Sequence, residues 1–291
     1  MRIDIHAIEE ASRELYVRAL KMLPPDIKDG FATLAVNETS ATAQQILGTM
    51  MTNIVVAESR DNLLCQDTGL PIYNVSIGRD VEVDGVALKA AIRRGCARAT
   101  REYPLRSSVV HPLTRRNEHT SCGIEVPVIH IDFVDENETL RLTMIPKGSG
   151  SENNSFLRMA IPAEGITAIK TFVIDCVLAA GGKPCPPTIV GVGIGGTSDL
   201  CVALAKRAAT RALGTRCADP DGAALEVALT AAVNALGVGP QGLGGDATAF
   251  AVHVELAATH ITMNPVAVNM QCHSARRASA TFTPAGVRYG Y

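Results

Sequence analysis

KPCPPTIVGVGIGGTSDL, residues 183–200, is the stretch that decides the fold. The apolar run TIVGVGI reads as a strand, two glycines follow, and SDLCVALAKRAATRAL beyond them has the apolar spacing of a helix. A strand passing through a glycine turn into a helix is a building unit of α/β proteins. Gly191, Gly193 and Gly196 also have the GxGxxG spacing of a dinucleotide-binding turn, which would make the chain a nicotinamide (NAD) oxidoreductase. That fingerprint requires an acidic residue about 20 positions on to hold the ribose. Here the region ends in Arg211 to Cys217, with Asp219 a loose fit, so a tight turn with close strand–helix packing is the stronger reading.

Working outward, apolar spacing predicts helices over 6–22, stopping at Pro24-Pro25, and over 40–60, capped by Thr39 or Ser40. Further helices are expected at 86–102, at 163–180 with Gly181-Gly182 as its stop, and at 198–213 and 222–236. LPIYNVSIG, AFAVHVELA, VAVNMQC and ASATFTPAGVRYG read as strands, and VPVIHIDFV and TLRLTMI, joined by the polar DENE, as a β-hairpin. Strands and helices do not alternate strictly. The expected fold class is therefore α/β of the mixed α+β kind, helices around mixed sheets, in a single domain over 1–291.

Composition narrows the function. With 47% hydrophobic and 19% charged residues and a net charge of −2, the chain reads as a soluble globular protein with no electrostatic bias toward nucleic acid or anionic membranes. The basic pairs Arg93-Arg94, Arg115-Arg116 and Arg276-Arg277 are scattered and lack interleaved aromatics. The opening MRIDIHAIEEASRELYVRAL carries acids where a signal peptide needs an apolar core, so a cytoplasmic location is expected and the eight cysteines should be reduced.

Cys96, Cys176 and Cys201 fall at apolar helix positions and read as small buried hydrophobes, while Cys122 and Cys217 are ambiguous. Cys65 in CQDTG, Cys185 in KPCPPTIV and Cys272 in MQCHSARR lie instead in loops or at strand ends. Their separations of 120 and 87 residues match no zinc finger or ferredoxin run. Lys147-Gly148-Ser149-Gly150-Ser151 leaves a strand as a run of small residues that could nest an anion, and Arg106 could clamp a carboxylate bidentately. Asp67, two residues from Cys65, is placed either for acid–base work or for ordinary turn chemistry before a glycine. His253 and His260 flank VELAAT and read by themselves as structural histidines.

Taken together, CQDTG, PKGSGSENNS, KPCPPTIVGVGIGG, GPQGLGG and a histidine twelve residues before the C-terminal cysteine resemble the α-subunit, or N-terminal domain, of the class I fumarate hydratases, over about residues 35–280. The related L(+)-tartrate dehydratase α-subunit shares most of these motifs. The resemblance implies a 4Fe-4S cluster held by Cys65, Cys185 and Cys272 with one iron left open. It implies Asp67 and His260 as catalytic residues, and Gln66, Arg106 and Gly148 as contacts to a dicarboxylate. It implies a partner β-subunit, domain-sized at roughly 200 residues, that completes the site, with oligomers of αβ units. The implied reaction is reversible hydration of fumarate to (S)-malate. The loops GSGSENNS and VGVGIGGTSDL look closer to the fumarase subunits, with L-tartrate or mesaconate as the alternative substrates.

Overall fold

In the computed structural model, which describes all 291 residues, the chain runs α1 (Ile5–Lys21), α2 (Pro25–Asn37), α3 (Ala41–Ser59), β1 (Leu70–Gly78), α4 (Gly85–Glu102), β2 (Val128–Val134), β3 (Leu140–Lys147), the one-turn α5 (Ser149–Glu152) and β4 (Ser155–Ala160). It continues through α6 (Gly165–Ala180), β5 (Thr188–Ile194), α7 (Ser198–Ala209), α8 (Pro220–Asn234), β6 (Ala249–Leu256), β7 (Asn264–Gln271), β8 (Ala278–Thr283) and β9 (Gly286–Gly290). The fold is mixed α/β, as its sequence predicts, with a mixed sheet in each of two compact units. None of the helices is long and apolar enough to cross a membrane.

The first unit comprises Met1–Pro24, Ile54–Gly148 and Arg276–Tyr291. Its five strands lie in the order β2-β1-β3-β8-β9, with β1 and β2 parallel and the remaining pairs antiparallel. Helices α1 and α4 supply Ile8, Leu15, Leu20, Leu88 and Ile92 to a core shared with Tyr73, Leu142 and Met144 of the sheet. Each such Leu or Ile, fully buried, stabilises the fold by roughly 1.5–3 kcal/mol.

The hairpin expected from VPVIHIDFV and TLRLTMI is absent: β1 lies between β2 and β3 and pairs with both. The reason is burial. β1 is mostly buried, with Tyr73, Val75 and Ile77 on one face and Ile72 on the other, and takes a central place, whereas β2 is largely exposed on one face and takes the edge. The DENE link then crosses the end of β1, where Gly78 and Arg79 donate to the carbonyls of Thr139 and Glu136. A β-carbon on Gly78 would fall 2.1 Å from the Asn137 carbonyl oxygen, so only glycine allows the crossing.

The second unit comprises Pro25–Asn53 and Ser149–Ala275. Its sheet has the order β4-β7-β5-β6, with β5 parallel to β6. The valines and isoleucine at even positions of β5, Val190, Val192 and Ile194, face α6 and α8 across Val173, Val177, Leu225 and Leu229. Its odd positions, Gly191 and Gly193, face α7. A β-carbon at Gly191 would sit 2.1 Å from the Ala205 oxygen and one at Gly193 2.1 Å from the Cys201 oxygen, so α7 rests on the bare backbone of β5. That is the work of the GxGxxG spacing. Asp219, the loose candidate for a ribose-binding acid, caps α8 by accepting the amides of Asp221 (2.9 Å) and Gly222 (3.0 Å).

Three further differences have local causes. Pro25 begins α2 rather than merely ending α1, because proline suits the first helical position, where an N–H has no partner anyway. The polar stretch after PKGSG folds as α5 and the edge strand β4. The helix expected over 198–213 ends at Ala209, before Gly214, which has a left-handed φ of 83°.

Candidate active site

In the first unit, the CQDTG loop enters β1. The Asp67 N–H donates to Cys65 Sγ at 3.4 Å, and the Gly69 N–H donates to Asp67 Oδ1 at 2.9 Å, so the loop closes on itself around the cysteine and the carboxylate. Gly69, at φ 68°, lies flat against β3: a β-carbon there would meet Pro146 C at 2.6 Å and Lys147 N at 2.9 Å. This brings CQDTG beside the residues leading into Gly148, in register with the Leu70–Lys147 pair.

Buried side chains hold this loop. The Tyr16 hydroxyl donates to the carbonyls of Thr68 (3.3 Å) and Gly69 (3.5 Å), and desolvation raises its pKa well above that of a free phenol, so it stays a neutral donor. Thr68 Oγ1 donates to the Arg106 carbonyl and lies 3.3 Å from Ser108 Oγ. Leu105 and Ser107, on either side of Arg106, are buried, which leaves the exposed Arg106 guanidinium on an anchored backbone. Cys65 and Asp67 are half-buried and Gln66 is exposed. Cys65, Gln66, Asp67 and Arg106 thus lie on two loops joined by hydrogen bonds, and Gly148 follows the strand end paired beside them.

In the second unit, Cys185 precedes β5 and Cys272 follows β7, and the neighbouring pair Ile189–Gln271 sets the two cysteines at the same end of adjacent strands. The His273 N–H donates to the Cys185 carbonyl at 3.1 Å, and Cys272 Sγ lies 3.1 Å from Ser274 Oγ. Cys185 has a left-handed φ of 57°, held by its N–H to the Gly182 carbonyl (3.0 Å) and followed by a cis Pro186–Pro187 bond. The GPQGLGG loop supports it from the side, with the Gln241 N–H donating to the Pro186 carbonyl at 2.8 Å. Gln241 Nε2 lies 3.5 Å from His273 Nδ1. Gln241 and His273 were not singled out from sequence, although both stand inside motifs that were.

His260 is not brought to these cysteines. Its loop sits at the opposite end of β5, where the Gly196 N–H donates to the Ala258 carbonyl and Thr259 Oγ1 donates to the Gly196 carbonyl. Seven residues of strand place it about 20 Å from the Cys185 end. It is exposed, with Nδ1 2.9 Å from Thr262 Oγ1. His253 is buried, bonded through Nδ1 to the Ala208 carbonyl, and burial lowers it to about 4, a structural histidine as read.

The cysteines separate by environment. All eight are free, and Cys96, Cys176 and Cys201 are buried. Burial pushes the Cys176 thiol up to about 12 and the Cys201 thiol to about 11, so neither is suited to bind metal as a thiolate. Of the two ambiguous residues, Cys122 donates to the Arg93 carbonyl at 3.5 Å, and the Cys217 N–H donates to the buried Glu226 at 3.1 Å. No three His, Cys, Asp or Glu side chains are grouped to hold a single metal ion. The remaining set, Cys65, Cys185 and Cys272, has the chemistry a cluster takes: free, partly exposed thiols, one already accepting a backbone N–H at sulfur.

The fumarate hydratase (fumerase) family model matches residues 9–281. The chain belongs to this family. Within the family's range it is similar to the putative L(+)-tartrate dehydratase subunit alpha of Methanocaldococcus jannaschii, 41% identical over 273 residues, covering 93% of this chain and 96% of that one. It is also similar to the L(+)-tartrate dehydratase subunit alpha of Escherichia coli strain K12, 31% identical over 257 residues, covering 88% and 84%. Hydratase and dehydratase name the two directions of one reaction class, so the family and these relatives are hydro-lyases.

Proposed function

We propose that this chain is the α-subunit of an iron–sulfur hydro-lyase that reversibly hydrates fumarate to (S)-malate, working as one functional domain over 1–291. The observation that carries the reading is the pairing of Cys185 and Cys272 at adjacent strand ends in a member of a hydratase family. Cys65, Cys185 and Cys272 would hold a 4Fe-4S cluster, which when bound supplies a Lewis acid at the iron that no cysteine occupies. The chain's own groups do the rest. Arg106 offers an exposed fork for one substrate carboxylate on a fixed backbone. Gln66 and the Gly148 backbone bind alongside, and the Asp67 carboxylate, oriented by the Gly69 N–H, moves the proton at the carbon next to a carboxylate. The proposal gives that proton to Asp67 because His260 lies at the far end of β5; a role for His260 in the reaction rests on the family resemblance.

The relatives are named subunit alpha, which supports a β-subunit that completes the site, and their names favour L(+)-tartrate as the second reading of the substrate. Anaerobic co-expression with a candidate β-chain, followed by turnover of fumarate, L-tartrate and mesaconate side by side, tests both. A brown protein with about four iron and four sulfide per chain is expected. Protein that stays colourless after reconstitution with iron and sulfide would end the cluster reading, and faster turnover of L-tartrate than of fumarate would replace the substrate.

A further inference from the structure

Arg276, four residues after Cys272 in MQCHSARR, is the largest fully buried side chain of the protein, at 2% exposure. Its guanidinium meets main-chain oxygen. Nη1 donates to the Asp67 carbonyl at 2.5 Å and Nη2 to the Pro146 carbonyl at 3.4 Å, while the buried Nε–H has no partner. Burying a guanidinium is costly, and an apolar side chain of similar volume would fill the core without that cost. The two carbonyls belong to different segments of the first unit: one is Asp67's own, in the CQDTG loop, and the other is near the end of β3, two residues before Gly148. A planar fork has the fixed geometry to set the spacing between two acceptors, which a lysine's single ammonium lacks.

We propose that Arg276 is a positioning residue: it holds the CQDTG loop at a set separation from the end of β3, and so aligns the Asp67 carboxylate with the dicarboxylate contact at Gly148. This rests on the hydro-lyase reading above. With Tyr16 on the carbonyls of Thr68 and Gly69, Arg276 makes three successive carbonyls of the loop bonded to buried side chains. A loop gripped in this way keeps its carboxylate oriented between turnovers.

The test uses Arg276→Gln and Arg276→Lys in the full chain, with amide hydrogen exchange as the readout. Local loss of the clamp should raise exchange in segment 65–70 and in segment 145–150 about tenfold, while α6 and β5 are unchanged. In the assembled enzyme, Arg276→Lys should raise KM for the preferred dicarboxylate about tenfold, a change that a smaller fraction of folded molecules would not produce. Unchanged exchange in both segments, or a uniform rise across the first unit with KM unaltered, would overturn the proposal. If Arg276→Gln does not fold, Arg276→Lys carries both measurements. Exchange is read without substrate or cluster, so a wild-type enzyme inert toward every dicarboxylate would sink the hydro-lyase reading and leave the clamp itself to be judged on the exchange data.

Discussion

The loop around Cys65 and the loop around Cys185 are fixed by different means. In the first unit the CQDTG loop is held by the side chains of Tyr16 and Arg276, which reach its carbonyls, and by its own Thr68, whose hydroxyl donates to the Arg106 carbonyl. In the second, Cys185 is held chiefly by main chain: its own turn to Gly182, the His273 amide, and the Gln241 amide on Pro186, with the His273 ring Nδ1 also 3.2 Å from the Cys185 carbonyl. The difference teaches where each half is vulnerable. Side-chain truncation loosens the first most, whereas the second yields more to an added β-carbon or to a change at the cysteine itself.

The sharpest way to break the comparison is at the thiols. Cys65→Ala, Cys185→Ala and Cys272→Ala should each leave the anaerobically reconstituted protein with little bound iron and no measurable turnover, while Cys176→Ala and Cys201→Ala keep both, as read by iron content and the visible spectrum. Next comes Gly193→Ala, which forces a β-carbon into the backbone of α7. It should destabilise by about 3 kcal/mol or more, seen as a lower denaturant midpoint, with local exchange in the first unit unaffected below the transition.

His253 tests the second unit through pH. Burial depresses its folded pKa to about 4 from the usual 6.5 of a histidine. Both states are neutral above 6.5. As pH falls from there toward 4 the unfolded chain takes up a proton that the native chain refuses, so stability should drop across that window by up to about 3 kcal/mol. Thermal melts of wild type and His253→Gln between pH 7 and pH 4 should converge as the pH falls. The smallest expected effect is Tyr16→Phe, which removes the hydroxyl from the carbonyls of Thr68 and Gly69. It should cost about 1 kcal/mol, measured by chemical denaturation, and loosen the 65–70 segment by hydrogen exchange.

What the residues disclosed ahead of the structure follows their range along the chain. The Gly181 stop of α6, the Ser40 cap, whose Oγ accepts the Ala43 amide, and the apolar TIVGVGI strand are local, and each is where it was expected. The separation of β2 from β3 was not legible, because two strands close in sequence give no sign that a third, from 70–78, is inserted between them. Pro24-Pro25 misled because a proline is equally at home after one helix and at the start of the next. In the candidate site, CQDTG and KPCPP drew attention through their own composition. The loop contacts of Tyr16 and Arg276 could not be read, since the two lie 52 and 209 residues from carbonyls they hold, even though Arg276 stands inside MQCHSARR.

One feature of the first unit bears on how the protein is made. Its sheet is completed by β8 and β9, and its clamp by Arg276, all from residues 276–291, which follow the whole of the second unit in the chain. During synthesis the second unit has every one of its residues before the first can close. Chains halted on the ribosome anywhere short of Arg276 would therefore display Cys65 and Asp67 on a sheet with β3 unpaired on one side. That edge makes a stalled nascent chain, rather than the finished protein, the form most exposed to strand-to-strand aggregation.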